Sequence, residues 1–377
     1  MAANAYDVIV IGGGPAGCGA AIALARRGFR VLLLEKARLP VHKLCGEFLS
    51  VEVMALFERL GVAGAVRRAG PHRIDETLVT TADGAAFRSP LPGTGLGLSR
   101  RTLDRLLFAH AAAAGADTRD GVTARALTGS LASGFSVTTT AGTFTARLVL
   151  GAWGRRGRLD RTLGRRFLAE KTPFVAFKAH FEGLEIPGVV ELHAFAGGYC
   201  GLSHVEDGRV NVCWITHRDR LREAGGRPEG MIARTFGEHA ALARRFGRLR
   251  RVTDFCAVAQ ISFAVKGPME GDVPMIGDTA GMIAPLCGDG MAMALHSAEM
   301  AAAHADAFLR GRADAEAFRR GYTRAWRDAF AGRLRLGRWM HHGYVRPLAA
   351  SLAVRALAGM PALGRWLIRH TRDAAQT

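Results

Sequence analysis

The sequence predicts an α/β fold: a nucleotide-binding domain on a parallel sheet, a second lobe floored by an antiparallel β-sheet, and a C-terminal helical region. Three observations carry this. Residues 6–36 read YDVIVIGGGPAGCGAAIALARRGFRVLLLEK, a buried strand, a glycine-rich turn, a helix and a second strand in succession. Residues 76–98 and 159–264 hold many short apolar runs broken by turn residues, the pattern of strands in a sheet. Residues 313–377 show helical patterning interrupted at Pro347 and Pro361, where the ring removes an N–H donor.

In the opening unit, Val8, Ile9, Val10 and Ile11 form the first strand, residues 20–27 the helix and residues 30–34 the second strand. Gly12-x-Gly14-x-x-Gly17, with Pro15 and Ala16 inside it, is the turn between strand and helix. In this setting the spacing is a dinucleotide-binding fingerprint. Gly12 permits the tight turn, Gly14 lets a pyrophosphate approach the backbone, and Gly17 lets helix and strand pack closely. The helix N-terminus offers unpaired N–H groups and a positive dipole to the phosphates. Glu35, at the end of the second strand, is placed to accept from a ribose, and the adjacent Lys36 is an expected nucleotide contact. The fingerprint alone does not separate FAD from NAD.

The chain has 377 residues and a formal charge of +18, with 51 basic residues. Only five of these are lysines (Lys36, Lys43, Lys171, Lys178 and Lys266). Such a balance favours anionic partners such as phosphates, acidic lipids or an acyl-carrier protein. The arginines are scattered in pairs, and no reading helix or aromatic-basic platform points to specific nucleic-acid recognition. Six cysteines without paired spacing imply neither a disulfide framework nor a metal centre. No uncharged apolar run reaches the length of a membrane span, so a cytoplasmic protein is expected, with surface contact to a membrane as an alternative.

The far end of the chain decides the nucleotide. Residues 273–302, VPMIGDTAGMIAPLCGDGMAMALHSAEMAA, contain Gly277-Asp278 and then Pro285-x-x-Gly288-x-Gly290-Met291. Here the sequence resembles the flavoprotein family of the aromatic hydroxylases, flavin-dependent halogenases and geranylgeranyl reductases, which share the p-hydroxybenzoate hydroxylase fold. That resemblance implies FAD, with Asp278 on its ribityl chain and the turn 285–291 opening a helix toward the flavin pyrimidine ring. It also matches Arg100 and Asp104 to an arginine-led segment that lies against the FAD phosphates. As an ordinary ion pair, Arg100 and Asp104 would simply sit one helical turn apart. The implied FAD-binding domain is discontinuous, residues 1–75, 99–158 and 265–312, with 76–98 and 159–264 as substrate domain and 313–377 as C-terminal helices.

Two stretches bear on the reaction. Lys43-Leu44-Cys45-Gly46-Glu47-Phe48-Leu49-Ser50 is similar both to the Lys-x-Cys-Gly of geranylgeranyl reductases and to the Gly-Glu-x-Leu of halogenases. The resemblance places Gly46 against the isoalloxazine, Cys45 beside the substrate and Glu47 near a phosphate, ribityl group or water. The competing reading of Cys45 is a small buried hydrophobe. Residues 197–215 lack the Trp-x-Trp-x-Ile-Pro of halogenases; Gly198-Tyr199 looks more like the lipid-pocket segment of the reductases, with Gly201 in place of its tryptophan. At 151–154, Trp153 replaces the aspartate that hydroxylases use in handling NAD(P)H.

The expected function is an FAD-dependent oxidoreductase acting on a hydrophobic polyketide, aromatic or isoprenoid metabolite, free or bound to a carrier protein. Reduction or dehydrogenation of a carbon–carbon bond, with Cys45 and Tyr199 as catalytic residues, leads. Hydroxylation by a monooxygenase using O2 and NAD(P)H is the alternative. A non-catalytic flavin- or nucleic-acid-binding protein is the third reading. Helices containing RLRLGRWMHH, LAASLAVRALAGM and GRWLIRH form either a cap packed on the substrate lobe or a membrane-surface face.

Overall fold

The structure, a computed structural model, describes residues 4–370. In chain order the first elements are Ala5–Ile11 (β1), Pro15–Ala25 (α1), Val31–Leu34 (β2), Phe48–Leu49 (β3), Val53–Arg59 (α2) and Ala63–Arg68 (α3). His72–Thr81 (β4), Ala86–Gly97 (β5), Arg100–Ala113 (α4), Asp117–Arg119 (β6), Ala124–Ser130 (β7), Gly134–Thr139 (β8), Gly142–Gly151 (β9) and Arg158–Thr162 (α5) follow. Then come Phe174–Glu182 (β10), Gly188–Phe195 (β11), Gly198–His204 (β12), Val210–His217 (β13), Arg218–Glu223 (α6), Pro228–Met231 (α7), Ala240–Phe246 (α8), Arg250–Arg251 (β14) and Cys256–Ala259 (β15). The C-terminal part is Gly290–Leu309 (α9), Ala315–Tyr344 (α10), Pro347–Gly359 (α11) and Pro361–His370 (α12).

The first sheet runs β6-β2-β1-β9-β8-β7, parallel from β6 to β9 and antiparallel beyond. Val8, Ile9 and Val10 are fully buried, as expected for strands covered on both faces. The helix after β1 starts at Pro15, five residues ahead of the sequence expectation. Gly17 and Gly19 are helical residues there, and their missing side chains permit close packing. A Cβ on Gly17 would overlap the Gly12 carbonyl, and one on Gly19 would lie 3.2 Å from Ala298 Cβ. The alanine-rich face of α9 (Ala298, Ala301, Ala302, Ala305) is fully buried. Small residues thus bring the first and last parts of the nucleotide lobe into backbone-close contact.

The second sheet runs β14-β10-β13-β12-β11-β4-β5-β3, with β15 also on β10. It is not purely antiparallel as expected: β4 and β11 pair in parallel. Residues 218–246, expected among the strands, instead contribute α6, α7 and α8. Phe177, Trp214 and Leu202 bury one face of this sheet against Met231, Phe236 and Leu242. The other face turns toward the nucleotide lobe. Two expected boundaries shift in sheet terms: β4 joins this sheet from His72, and Asp160 and Arg165 are buried beside Thr279 of the nucleotide lobe.

Candidate flavin site

The phosphate turn is built from constraint. Gly12 has φ +120°, and its Cβ would overlap the Ala152 carbonyl, so only glycine fits. Gly14 is the N-cap of α1 and supplies no side chain; the first turn holds no acidic residue. The leading N–H groups of this helix are therefore available to an anion. A Cβ on Gly14 would meet only Arg100 Nη2, at 3.5 Å, which leaves room for a ligand against the backbone. Pro15 and Ala16 are buried in the first turn.

Arg100 makes the expected ion pair and stands beside the phosphate turn. Its Nε and Nη2 make a paired contact to Asp104 at 2.7 and 2.8 Å, and it borders Gly14. Asp104 is fully buried and also receives Lys43 Nζ at 3.0 Å. Burial alone would raise its carboxyl, yet Arg100 and then Lys43 hold it below the ordinary value. Glu35 is engaged within the chain: Oε2 accepts from Gly13 N–H at 2.8 Å and Oε1 from Ala37 N–H at 2.9 Å. It secures the phosphate turn and keeps lone pairs for a ribose. Lys36 points elsewhere, into an open pocket of about 1020 Å³ shared with Arg156, Arg158 and Arg161.

The second stretch meets the first directly. Gly277 has φ +57°, and a Cβ there would stand 2.9 Å from Ala16 Cβ. Met275 bridges Gly151, and Gly154 N–H donates to Thr279 Oγ1 at 2.8 Å. The Asp278 carbonyl accepts from Lys266 Nζ at 2.9 Å. Burial lowers Lys266 to about 8, against the pull of Asp278 and Asp160. The half-buried Asp278 side chain makes no hydrogen bond among the described residues and interacts with Lys266 only through its charge, so its oxygens are available to a polyol. Pro285–Cys287 leads to Gly288, with φ +76° and a Cβ position 2.9 Å from Phe48. Gly290 and Met291 then open α9, whose first turn is free of side-chain caps. This turn thus faces the segment that carries Cys45.

Cys45 is half-buried, its carbonyl accepting from Asn211 Nδ2 at 3.2 Å, its sulfur from Glu47 N–H at 3.4 Å. A Cβ on Gly46 would meet nothing within 4 Å, an open backbone surface of the kind a planar ring can cover. Glu47 corrects the expectation of a cofactor contact. It is fully buried with φ +54°. Its Oε1 receives Lys178 Nζ and, at 2.7 Å, Arg100 N–H. Its Oε2 lies 2.6 Å from His180 Nε2. Desolvation would raise this carboxyl, but His180 and Lys178 outweigh it and hold it below the ordinary range. Glu47 therefore locks the 45–47 loop to β10 and α4 rather than touching a ligand.

Trp153 packs, and its indole N–H donates to Asp160 Oδ1 at 3.0 Å. Asp160 also receives Gly157 N–H at 2.6 Å and Arg165. A carboxylate thus stands behind the tryptophan, employed as a local cap.

Tyr199, on β12, is nearly fully buried, and its hydroxyl lacks a hydrogen-bond partner of good geometry. Burial pushes its phenol well above the ordinary value. Its ring lies 5.8 Å from that of His341 and 5.5 Å from Tyr344. Sequence reasoning missed His341. It is fully buried between Phe174 and Phe263, at 4.6 and 4.3 Å, with neither ring nitrogen bonded. Burial, then His342, lowers it to about 4, so the ring is neutral at pH 7. Around them, Ala176, Ile215, Ile261 and Met282 form an apolar cluster with Leu44 and Leu286. Lys178 and His180 were also missed. The one available signal was that Lys178 is among only five lysines in an arginine-rich chain.

Residues 5–328 match a family model described as "FAD binding domain". Tryptophan 2-halogenase of Chondromyces crocatus is 27% identical over 354 residues, 87% of this chain and 66% of that one. Digeranylgeranylglycerophospholipid reductase 2 of Methanopyrus kandleri is 28% identical over 349 residues, 86% of this chain and 83% of that one. The structure of the flavin-dependent brominase Bmp2 superposes with a TM-score of 0.81 at 20% identity, covering 97% of this chain and 92% of that one.

Proposed function

The chain belongs to the FAD binding domain family and is an FAD-dependent oxidoreductase, and from that premise we propose that it reduces or dehydrogenates a carbon–carbon bond in a hydrophobic metabolite. The residues present fit the cofactor: α1 starts uncapped, the Asp278 side chain makes no hydrogen bond among the described residues, and Gly46 leaves its outer side open. Bound there, FAD supplies two-electron transfer between a donor and the substrate carbon.

The observation that carries the substrate class is the sheet face toward the nucleotide lobe. Lys178, His180 and Asn211 of this face are tied to Glu47 and Cys45, while one end of it is an apolar cluster enclosing Tyr199, whose hydroxyl lies by the Leu286 backbone, and the unbonded His341 ring. Leaving such groups unsatisfied costs about 1–3 kcal/mol each, and a substrate oxygen beside them would recover that. Tyr199, protonated at any physiological pH, donates to such an oxygen or returns its proton. Cys45 sits on the loop that Glu47 anchors, packed against the nucleotide-lobe core with its thiol beside Arg100. The resemblance of Lys43-Leu44-Cys45-Gly46 to the reductase pattern, and the match to a digeranylgeranylglycerophospholipid reductase, favour reduction of an isoprenoid over hydroxylation. The pocket holding Lys36, Arg156, Arg158 and Arg161 suits the phosphates of NAD(P)H as donor. A substrate tethered to an acidic carrier protein would meet the same positive field.

The test is turnover with and without oxygen. Photoreduced protein is mixed under nitrogen with a panel of polyprenyl and aromatic polyketide substrates. Substrate-dependent flavin reoxidation and a product two hydrogens richer support the proposal. A hydroxylated product formed only in air would replace it with the monooxygenase reading.

A further inference from the structure

Seven large apolar side chains are exposed among the described residues, and six cluster near the C-terminus: Trp339, Leu348, Leu352, Met360, Leu363 and Trp366. Leu348 and Leu352 are 82% and 70% exposed and lie one turn apart on α11, so they share a face. The opposite faces of these helices are already used. Ala350 and Val354 are buried with Phe87 of β5, and a Cβ on Gly364 would overlap the Phe87 ring. The expected cap on the substrate lobe therefore exists on the inner side, while the outer side stays apolar and open to solvent.

We propose that this outer face docks on an anionic membrane surface. From residue 329 to residue 368 the sequence contains six arginines and no aspartate or glutamate. Arg335, Arg346 and Arg365 are exposed among the apolar side chains. Leucine, methionine and tryptophan framed by arginine is the composition of a helix that lies in the interface, with tryptophan at headgroup level. No single described helix is long and apolar enough to cross a membrane, and α11 and α12 meet at a 110° bend. With their inner sides fixed on β5, the pair lies along a bilayer instead of spanning it. A second copy of the chain fits this face poorly, because it would set one arginine-rich surface, in which Asp83 is already paired with Arg355, against another in a chain of net charge +18. The lipid surface offers both the apolar depth and the opposite charge.

The experiment uses the full-length, FAD-loaded protein on vesicles of phosphatidylcholine with phosphatidylglycerol, and on phosphatidylcholine alone. Co-sedimentation with the anionic vesicles only, with a blue shift in tryptophan emission, is expected. Leu348→Glu with Leu352→Glu should weaken binding at least about tenfold, and Arg346→Glu with Arg365→Glu should do likewise, with flavin content unchanged in both. All four positions are exposed, and the arginine pair provides a separate reading should the leucine pair misfold. Failure of the wild-type protein to bind anionic vesicles overturns the proposal. Equal binding by the folded variants overturns it too, as does a wild-type dimer that the leucine variant renders monomeric without any change in vesicle binding.

Discussion

Lys178→Met tests whether the buried cluster around Glu47 holds the two lobes in register. Lys178 and His180 project from β10, Glu47 sits at positive φ on the loop before β3, and Arg100 opens α4. All three side chains at this junction are essentially excluded from water. Removing the lysine leaves Glu47 with His180 and one backbone donor, and breaking such a pair costs about 3–5 kcal/mol. For a chain of this length, an unfolding entropy of about 2 cal/mol/K per residue turns that into a fall in Tm of roughly 4–6 °C. Glu47→Gln with Lys178→Met should lose less than the sum of the singles by about 1–3 kcal/mol, because no uncompensated charge then remains. The pH dependence has a definite sign. Glu47 is held below its ordinary value of 4.5, so its contribution is whole above about pH 4.5 and is lost as pH falls toward the folded value. Thermal scans from neutral pH downward should show a steeper loss for the wild type than for Glu47→Gln. A Lys178→Met protein within about 0.5 kcal/mol of wild type, or a strictly additive pair, would refute the junction argument.

The remaining predictions concern ligands. Asp278→Ala removes a charge-assisted acceptor and should weaken FAD by roughly ten- to a hundredfold, read by flavin fluorescence titration. Gly14→Val should lose FAD and keep its fold, since only Arg100 lies within reach of a Cβ there, at 3.5 Å; full flavin occupancy in either variant contradicts the site. Cys45→Ser should retain FAD with altered kcat, and unchanged kinetics would assign Cys45 to packing alone. Arg156→Glu with Arg158→Glu should raise KM for NAD(P)H about tenfold while sparing turnover with dithionite. An unchanged KM would detach that pocket from the donor.

What the sequence made legible was the part whose chemistry is local. Gly12 and Gly17 each answer a steric demand within one turn, with the Ala152 and Gly12 carbonyls where their side chains would otherwise sit, and Gly14 leaves its space open for a ligand. Glu35 and Arg100 were legible by position relative to a strand end and a helix start. The helix boundary at Pro15 was missed because glycines inside α1 resemble turn residues by composition; in fact Gly19 serves its contact with α9 and Gly17 its close approach to Gly12 and Ala152. The parallel pairing of β4 with β11 joins segments more than a hundred residues apart, and no alternation in either strand encodes that partner.

Glu47 shows why the site was less legible than the fold. A glutamate beside a glycine with an open outer side has two uses, ligand contact or lobe anchor, and its neighbours in sequence are the same for both. The choice is made by Lys178 and His180, alternate residues of a distant strand that both face inward because a strand repeats every two residues. His341 escaped notice for a related reason: in RLRLGRWMHH it is one of two adjacent histidines on a long helix, and only the packing buries one ring and exposes the other. The grip on the nucleotide is thus a property of short contiguous motifs. The surface proposed to meet the substrate lies where the second sheet and α10 converge, so its specificity would reside in residues that no single motif contains.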